Sequence, residues 1–120
     1  MQTLREKMEL IGRLKKRPEF LHVAKNGKRW VSKGLILQAV PNDLKHSRFG
    51  LTITKKVYKQ AVKRNRIRRR LRGLAYDILT THAKSGYDFV LIGKTETLER
   101  PYSDLQKDLK WCLKKLEINA

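Results

Sequence analysis

The sequence has few of the residues that build disulfides, metal sites or membrane spans. Cys112 is the only cysteine, so no internal disulfide can form. The three histidines show no metal-ligand spacing. No apolar run approaches the roughly 18 residues of a transmembrane helix, and residues 1–12 lack a hydrophobic signal core. These absences predict a protein of the reducing cytoplasm, with no metal site of its own and no membrane partner.

Acidic residues are also scarce. Eleven Asp and Glu stand against 29 Lys and Arg in 120 residues, which gives a formal net charge of +18. The length predicts a single domain over residues 1–120. A charge so one-sided indicates a polyanionic partner. Nucleic acid ranks ahead of an anionic membrane, and the predicted partner is therefore nucleic acid.

The positive charge is concentrated in residues 55–72, which contain ten Lys and Arg and no acid. At about 100° per residue, one arc of a helix here is apolar, and the rest of its circumference is mainly arginine. The apolar arc consists of Ile67, Leu71, Leu74, Ala75 and Ile78. Arginine pairs with phosphate oxygens bidentately, so this surface predicts binding to structured nucleic acid. A solvated helix face or a localisation tag is the alternative, but such faces usually contain Glu–Lys pairs four residues apart.

No catalytic constellation is visible in the chain. There are no paired carboxylates, no nucleophile beside a base, and no glycine-rich phosphate loop. We therefore expect the isolated protein to be catalytically inactive.

Hydrophobic patterning predicts an α+β two-layer sandwich with the element order α-β-(β)-β-α-β-α. Helices are predicted over residues 18–25 and 60–81. A last helix is predicted to begin at a capping box formed by Ser103 and Gln106, and its buried stripe consists of Leu105, Leu109, Cys112, Leu113 and Leu116. Strands are predicted over residues 29–40, with a bend at Lys33-Gly34, and over 48–54 and 87–92. Residues 1–12 show no recognised cap, and we treat them as a candidate flexible segment.

Two stretches resemble a known family. Residues 49–56, FGLTITKK, and residues 61–72, AVKRNRIRRRLR, resemble the signature of the bacterial ribonuclease P protein subunit. The resemblance covers about residues 13–116. It implies a left-handed crossover around the basic helix. It also implies that an RNA subunit performs the cleavage, with Mg²⁺ held mainly by that RNA.

The resemblance further implies two sets of binding residues and no required protein partner. Matches to positions that contact the catalytic ribonuclease P RNA are Arg64, Asn65, Arg66, Lys55 and Lys56. Matches to positions that contact the 5′ leader of precursor tRNA are Phe20, Arg68, Arg69, Arg72, Gln38 and Thr52. Family members often carry further cleft aromatics where this chain has Ala24 and Gln38, which predicts weaker base stacking here. Two alternatives stay open on the residues alone: a ribosomal or assembly RNA-binding protein, and an architectural DNA-binding protein.

Overall fold

A computed structural model of the chain, which describes residues 2–120, shows a five-stranded mixed sheet with helices on both faces. The strands are β1 Ile11–Arg13, β2 Lys28–Val31, β3 Leu35–Pro41, β4 Ser47–Thr52 and β5 Tyr87–Gly93. The helices are α1 Leu4–Leu10, α2 Arg17–Asn26, α3 Ala61–Leu74, α4 Thr95–Glu99 and α5 Tyr102–Lys115. Helix α3 is continued by a π-helical turn, Ala75–Leu79, and by a last turn, Thr80–His82. The predicted α+β class and the order of its main elements are confirmed.

The strand order is β1-β4-β5-β3-β2. Strand β4 is parallel to both β1 and β5, whereas β3 is antiparallel to β5 and β2. Strand β5 therefore lies at the centre of the sheet, as its apolar residues on both faces predict. Helix α3 connects the neighbouring parallel strands β4 and β5, and the hand of this crossover stays a prediction.

The main core lies between one face of the sheet, here called the inner face, and helices α3 and α5. Leu37, Phe49, Phe89 and Leu91 of the sheet are fully buried there. The predicted apolar arc of α3 packs on them, since Ile67, Leu71, Leu74, Ala75 and Ile78 are all at most 3% exposed. The predicted stripe of α5 is also buried: Leu105, Leu109, Cys112, Leu113 and Leu116.

A smaller core lies on the opposite, outer face, under helix α2. Val23 of α2 packs with Leu14, Val40 and Val90. Only part of this face is covered, and all four residues of β2 are exposed. The outer face thus offers a partly open surface that α2 borders.

Several sequence predictions need correction. Within the candidate flexible segment 1–12, Leu4–Leu10 form helix α1 and Ile11 begins strand β1, while residue 1 lies outside the described residues. Thr3 caps α1 by accepting a hydrogen bond at Oγ1 from the Glu6 amide at 3.2 Å, a capping signal that the prediction overlooked. Strand β1 has only three residues and depends on pairing with β4, so no local periodicity could reveal it.

The predicted bent strand over residues 29–40 is a hairpin of β2 and β3. Ser32 closes its turn, because its amide and its hydroxyl both donate to the Leu35 carbonyl, at 3.0 and 2.6 Å. The capping box assigned to Ser103 is wrong: Pro101 is the N-cap of α5, and no side chain caps it. The connector before it contains the unpredicted helix α4.

Candidate nucleic-acid interface

Helix α3 presents an arginine-rich surface. Asn65, Arg66 and Arg69 are exposed, while Arg68 and Arg72 beside the apolar arc are half-buried. The helical wheel predicts this division. Within residues 2–120, every ion pair involves other side chains, so no arginine of α3 pairs with a carboxylate. The guanidinium groups that point outward are available for phosphate.

Two residues of the predicted RNA-binding motif also have structural roles. The Arg64 guanidinium donates from Nη1 to the carbonyls of Tyr58 and Lys59, at 2.7 and 2.6 Å, and so holds the loop before α3. Asn65 accepts a hydrogen bond at Oδ1 from Arg68 Nη1 at 3.0 Å. Arg66 neither holds the loop nor bonds to Asn65, so it is the residue of the motif most available for an external ligand.

Lys55 and Lys56 lie exposed in the turn that follows β4. The turn is closed by a hydrogen bond from the Val57 amide to the Thr54 carbonyl at 3.1 Å. Arg64 fixes the end of the same connection through Tyr58 and Lys59. The structure therefore places the paired lysines and the arginine surface on one continuous segment.

Phe20, Gln38 and Thr52 share the outer face. Strand register aligns Gly50 with Val90 and Gln38, and aligns Thr52 with Ile92 and Ile36. The Phe20 ring lies directly on Gly50, where a Cβ atom would approach ring carbons to 2.4 and 2.5 Å. Phe20, Gln38 and Thr52 are all half-buried. Phe20 is therefore neither a core residue nor a free side chain: part of its surface packs and part stays accessible.

An ion-pair network fixes α2, and with it Phe20, on the sheet. Arg48 of β4 donates to Glu19 at 2.7 Å and to Asp88 of β5 at 2.9 and 2.7 Å. Glu19 also accepts hydrogen bonds from the Lys16 and Lys15 amides, both at 2.8 Å. These amides, with Arg48, hold the pKa of Glu19 below its usual value. The residue next to Phe20 is thus anchored, which orients the ring over Gly50.

The structure does not bring all six predicted leader-binding residues together. Phe20, Gln38 and Thr52 lie on the outer face, but α3 packs on the inner face. Arg69 and Arg72 instead line a cavity of about 460 Å³ together with Leu4 and Met8 of α1. The site is therefore two surfaces separated by the sheet.

Arg13 lies on the same surface as Arg69 and Arg72, and the sequence prediction did not include it. It lines the same cavity as Arg69 and Arg72, and its Cζ lies 4.7 Å from the centroid of the Phe49 ring. Helix α1 forms one side of this cavity and is held by an ion pair between Lys7 and Asp77 at 2.8 Å. Its position depends on contacts between residues about 70 apart in sequence, which no local pattern reports.

Among the described residues, no group of three or more His, Cys, Asp or Glu side chains is arranged to hold a metal ion. No helix in that part of the chain is long and apolar enough to cross a membrane.

A mixed α+β fold with an uncompensated arginine helix and an aromatic residue on a half-open sheet defines a nucleic-acid-binding protein. Comparison with known proteins narrows this class. The family described as Ribonuclease P matches residues 8–117. The ribonuclease P protein component of Paramagnetospirillum magneticum is 49% identical over 111 residues, which cover 88% of this chain and 83% of that protein. The corresponding protein of Gluconacetobacter diazotrophicus is 46% identical over 109 residues, which cover 90% and 93%.

Solved structures agree on the fold. The Staphylococcus aureus RNase P protein superposes with a TM-score of 0.74 at 24% identity, covering 90% of this chain and 97% of that one. The Thermotoga maritima RNase P protein gives a TM-score of 0.72 at 23% identity, with coverage of 88% and 94%. The chain belongs to the ribonuclease P protein component family. It is thus an RNA-binding subunit of the tRNA-processing enzyme ribonuclease P, whose catalytic part is RNA, and its partner is ribonuclease P RNA. A ribosomal or assembly role is not favoured.

Proposed function

We propose that the outward face of α3 binds ribonuclease P RNA and that the outer face of the sheet binds the 5′ leader of precursor tRNA. The observation that carries this proposal is the arginine surface without acids. Ten basic residues and no acid occupy positions 55–72, and Arg66 and Arg69 are exposed. Guanidinium groups without nearby carboxylates repel one another, and a bound polyanion relieves this repulsion. Its phosphates pair with the guanidinium groups, and the counterions released from the polyanion add to the affinity.

For the catalytic RNA, the contacts separate into direct and supporting ones. Arg66 is proposed to contact phosphate directly, with Lys55 and Lys56 continuing the surface beyond the start of the helix. Arg64 and Asn65 act in part through others, since Arg64 holds the preceding loop and Asn65 orients Arg68. Loss of Arg64 should therefore disturb the loop as well as any RNA contact.

For the leader, the proposed contact surface is the half-open part of the outer face. The accessible part of the Phe20 ring can stack on one base, a contact worth about 1–3 kcal/mol. Gln38 and Thr52 add hydrogen-bonding groups on the same face. Contact of Arg68, Arg69 and Arg72 with the leader stays a prediction, because α3 packs on the inner face of the sheet and the proposed leader surface is the outer face. Arg69 and Arg72 line the cavity beside α1, which a precursor bound along β1 would reach.

The proposed catalytic metal is Mg²⁺ held mainly by the RNA. The described side chains do not fit a metal site, since no three potential ligands converge among them. The protein would act instead by lowering the repulsion between two RNA molecules, which reduces the need for free divalent cations.

The decisive experiment is reconstitution with a bacterial ribonuclease P RNA. The complex should cleave precursor tRNA at a lower magnesium concentration than the RNA alone requires, and the protein alone should not cleave. Arg66→Ala should weaken assembly and flatten the slope of log affinity against log salt by about 0.7–0.9 for a lost phosphate contact.

Two further variants serve as controls. Lys45→Ala removes one exposed charge from the loop before β4, at the opposite end of that strand from Lys55 and Lys56, and should leave affinity and salt slope nearly unchanged. Arg66→Lys keeps the charge but loses the bidentate fork, so it should restore the salt slope more than the affinity. Unchanged RNA binding by Arg66→Ala would show that the wrong surface has been assigned.

A further inference from the structure

The two tryptophans of the chain form an exposed pair at the β2 edge of the sheet. Trp30 on β2 is 36% exposed and Trp111 on α5 is 48% exposed. The Lys115 ammonium lies 4.5 Å from the centroid of the Trp111 ring and 5.8 Å from that of Trp30. The two indoles therefore lie around one cation, although they are 81 positions apart in sequence. Neither belongs to the buried core.

The surroundings of this pair, here called the tryptophan patch, are basic. Strand alternation puts Lys28 on the same side of β2 as Trp30, and helical spacing puts Lys107 and Lys114 one turn from Trp111. The acid nearest to Trp111 along α5, Asp108, is already bound to Arg100 at 2.8 and 3.2 Å. Exposed aromatic rings among unneutralised lysines are typical of surfaces that bind single-stranded nucleic acid. A second copy of a chain with charge +18 would be repelled from them.

The outer face leads towards this patch. At β4, Phe20 covers Gly50, and the ion pair between Glu19 and Arg48 blocks the surface beyond it. Towards β2 the face opens: Arg29, aligned with Gln38, and Val31, aligned with Ile36, are exposed. A single strand that leaves the Phe20 surface along this open route reaches the β2 edge, where Trp30 lies on the other side of the same strand.

We propose that the tryptophan patch is a second contact for the leader, at which the nucleotides farthest from the cleavage site stack on Trp30 and Trp111. Lys115 and Lys28 neutralise the phosphates of these nucleotides. This inference rests on the proposed leader path across the outer face. It adds the expectation that the protein discriminates precursors by leader length.

The test uses the reconstituted holoenzyme and two precursors, one with a long unstructured leader and one trimmed to the few nucleotides beside the cleavage site. Trp111→Ala should weaken binding of the long-leader precursor roughly five- to 150-fold, the range expected for one stacked base, and leave the short-leader precursor unchanged. Lys115→Ala should weaken the same precursor and lower its salt dependence. Trp111→Phe keeps an aromatic face and should retain most of the affinity.

Matched controls are Leu44→Ala, which removes another exposed apolar side chain, and Lys45→Ala, which removes another exposed charge. Both should bind the long-leader precursor normally. Equal losses in these controls, or equal losses for the two precursors with Trp111→Ala, would overturn the proposal. Phe20→Ala should weaken both precursors, so failure of the tryptophan patch remains distinguishable from failure of the leader path itself.

Intrinsic fluorescence gives an independent measurement, because both tryptophans of the chain lie in the patch. The long-leader precursor should quench indole emission of the holoenzyme, and the short-leader precursor should not. Unchanged emission at saturating long-leader precursor would refute the contact. Full quenching by ribonuclease P RNA before substrate is added would assign the patch to that RNA and overturn the leader assignment.

Discussion

Gly50→Ala should destabilise the protein because of a single side chain, Phe20. A Cβ atom at residue 50 would lie 2.4 and 2.5 Å from the Phe20 ring carbons Cε1 and Cζ, and 3.2 Å from Leu14 Cδ1. Carbon atoms in good contact are about 3.5–4.0 Å apart, so the ring would have to retreat by roughly 1 Å. The glycine is therefore needed for close approach of α2 to the sheet.

The size of the effect follows from the geometry. Overpacking of this kind costs about 1–3 kcal/mol. Removal of the ring should cost less than the about 3–5 kcal/mol of a fully buried phenylalanine, because Phe20 is only half-buried; we expect about 1.5–2.5 kcal/mol by halving that range. Without the ring, Gly50→Ala has room, and a strand interior favours alanine over glycine by about 0.5–1 kcal/mol.

A double-mutant cycle measured by urea unfolding tests this reasoning. Gly50→Ala should lower the free energy of unfolding in the native background and leave it equal or higher in the Phe20→Ala background. The coupling energy should be about 1–3 kcal/mol, within the range found for residues in contact. If Gly50→Ala costs the same in both backgrounds, the Phe20 ring does not lie on Gly50, and the half-open surface described for the outer face is wrong.

Three further predictions concern other parts of the chain. Ala24 is exposed on α2, so Ala24→Phe should tighten leader binding by about 1–3 kcal/mol without lowering the melting temperature; a lower melting temperature with no tighter binding would contradict the leader path. Burial alone would raise the pKa of Asp77, but hydrogen bonds from Lys7 and Tyr102 outweigh it and lower that pKa. Asp77→Asn should therefore lower the melting temperature at neutral pH. The difference from the native protein should begin to shrink as the pH falls below about 3.9, and it should vanish only below the lowered pKa of Asp77 in the folded protein. A pH-independent difference would exclude this ion pair as the cause. Burial also raises the pKa of the Cys112 thiol to about 11, so iodoacetamide should modify it slowly at neutral pH in the folded protein and rapidly in urea; rapid labelling of the folded protein would show that the site opens.

The sequence alone determined the features that depend on neighbouring residues. The apolar arc of α3, its outward arginines and the central strand β5 all follow from periodicities of 3.6 and 2 residues. The absence of acids in residues 55–72 is a property of composition, so the arginine surface that we propose to bind RNA was predictable without coordinates. The motifs at residues 49–56 and 61–72 identified the family without coordinates, because each motif is a contiguous stretch of sequence.

Only the tertiary structure decided which of these residues are free to bind and which are used to build the fold. Arg64 holds a loop, and Phe20 is partly buried on Gly50, because segments far apart in sequence meet there. The sheet separates Phe20 from Arg69 and Arg72 because α2 and α3 cover opposite faces of it. An amphipathic pattern predicts that one side of a helix is buried, but it does not predict which surface that side packs on. The same reason explains the tryptophan pair: each ring alone is an ordinary surface residue, and the antiparallel hairpin and the packing of α5 bring the two rings around Lys115.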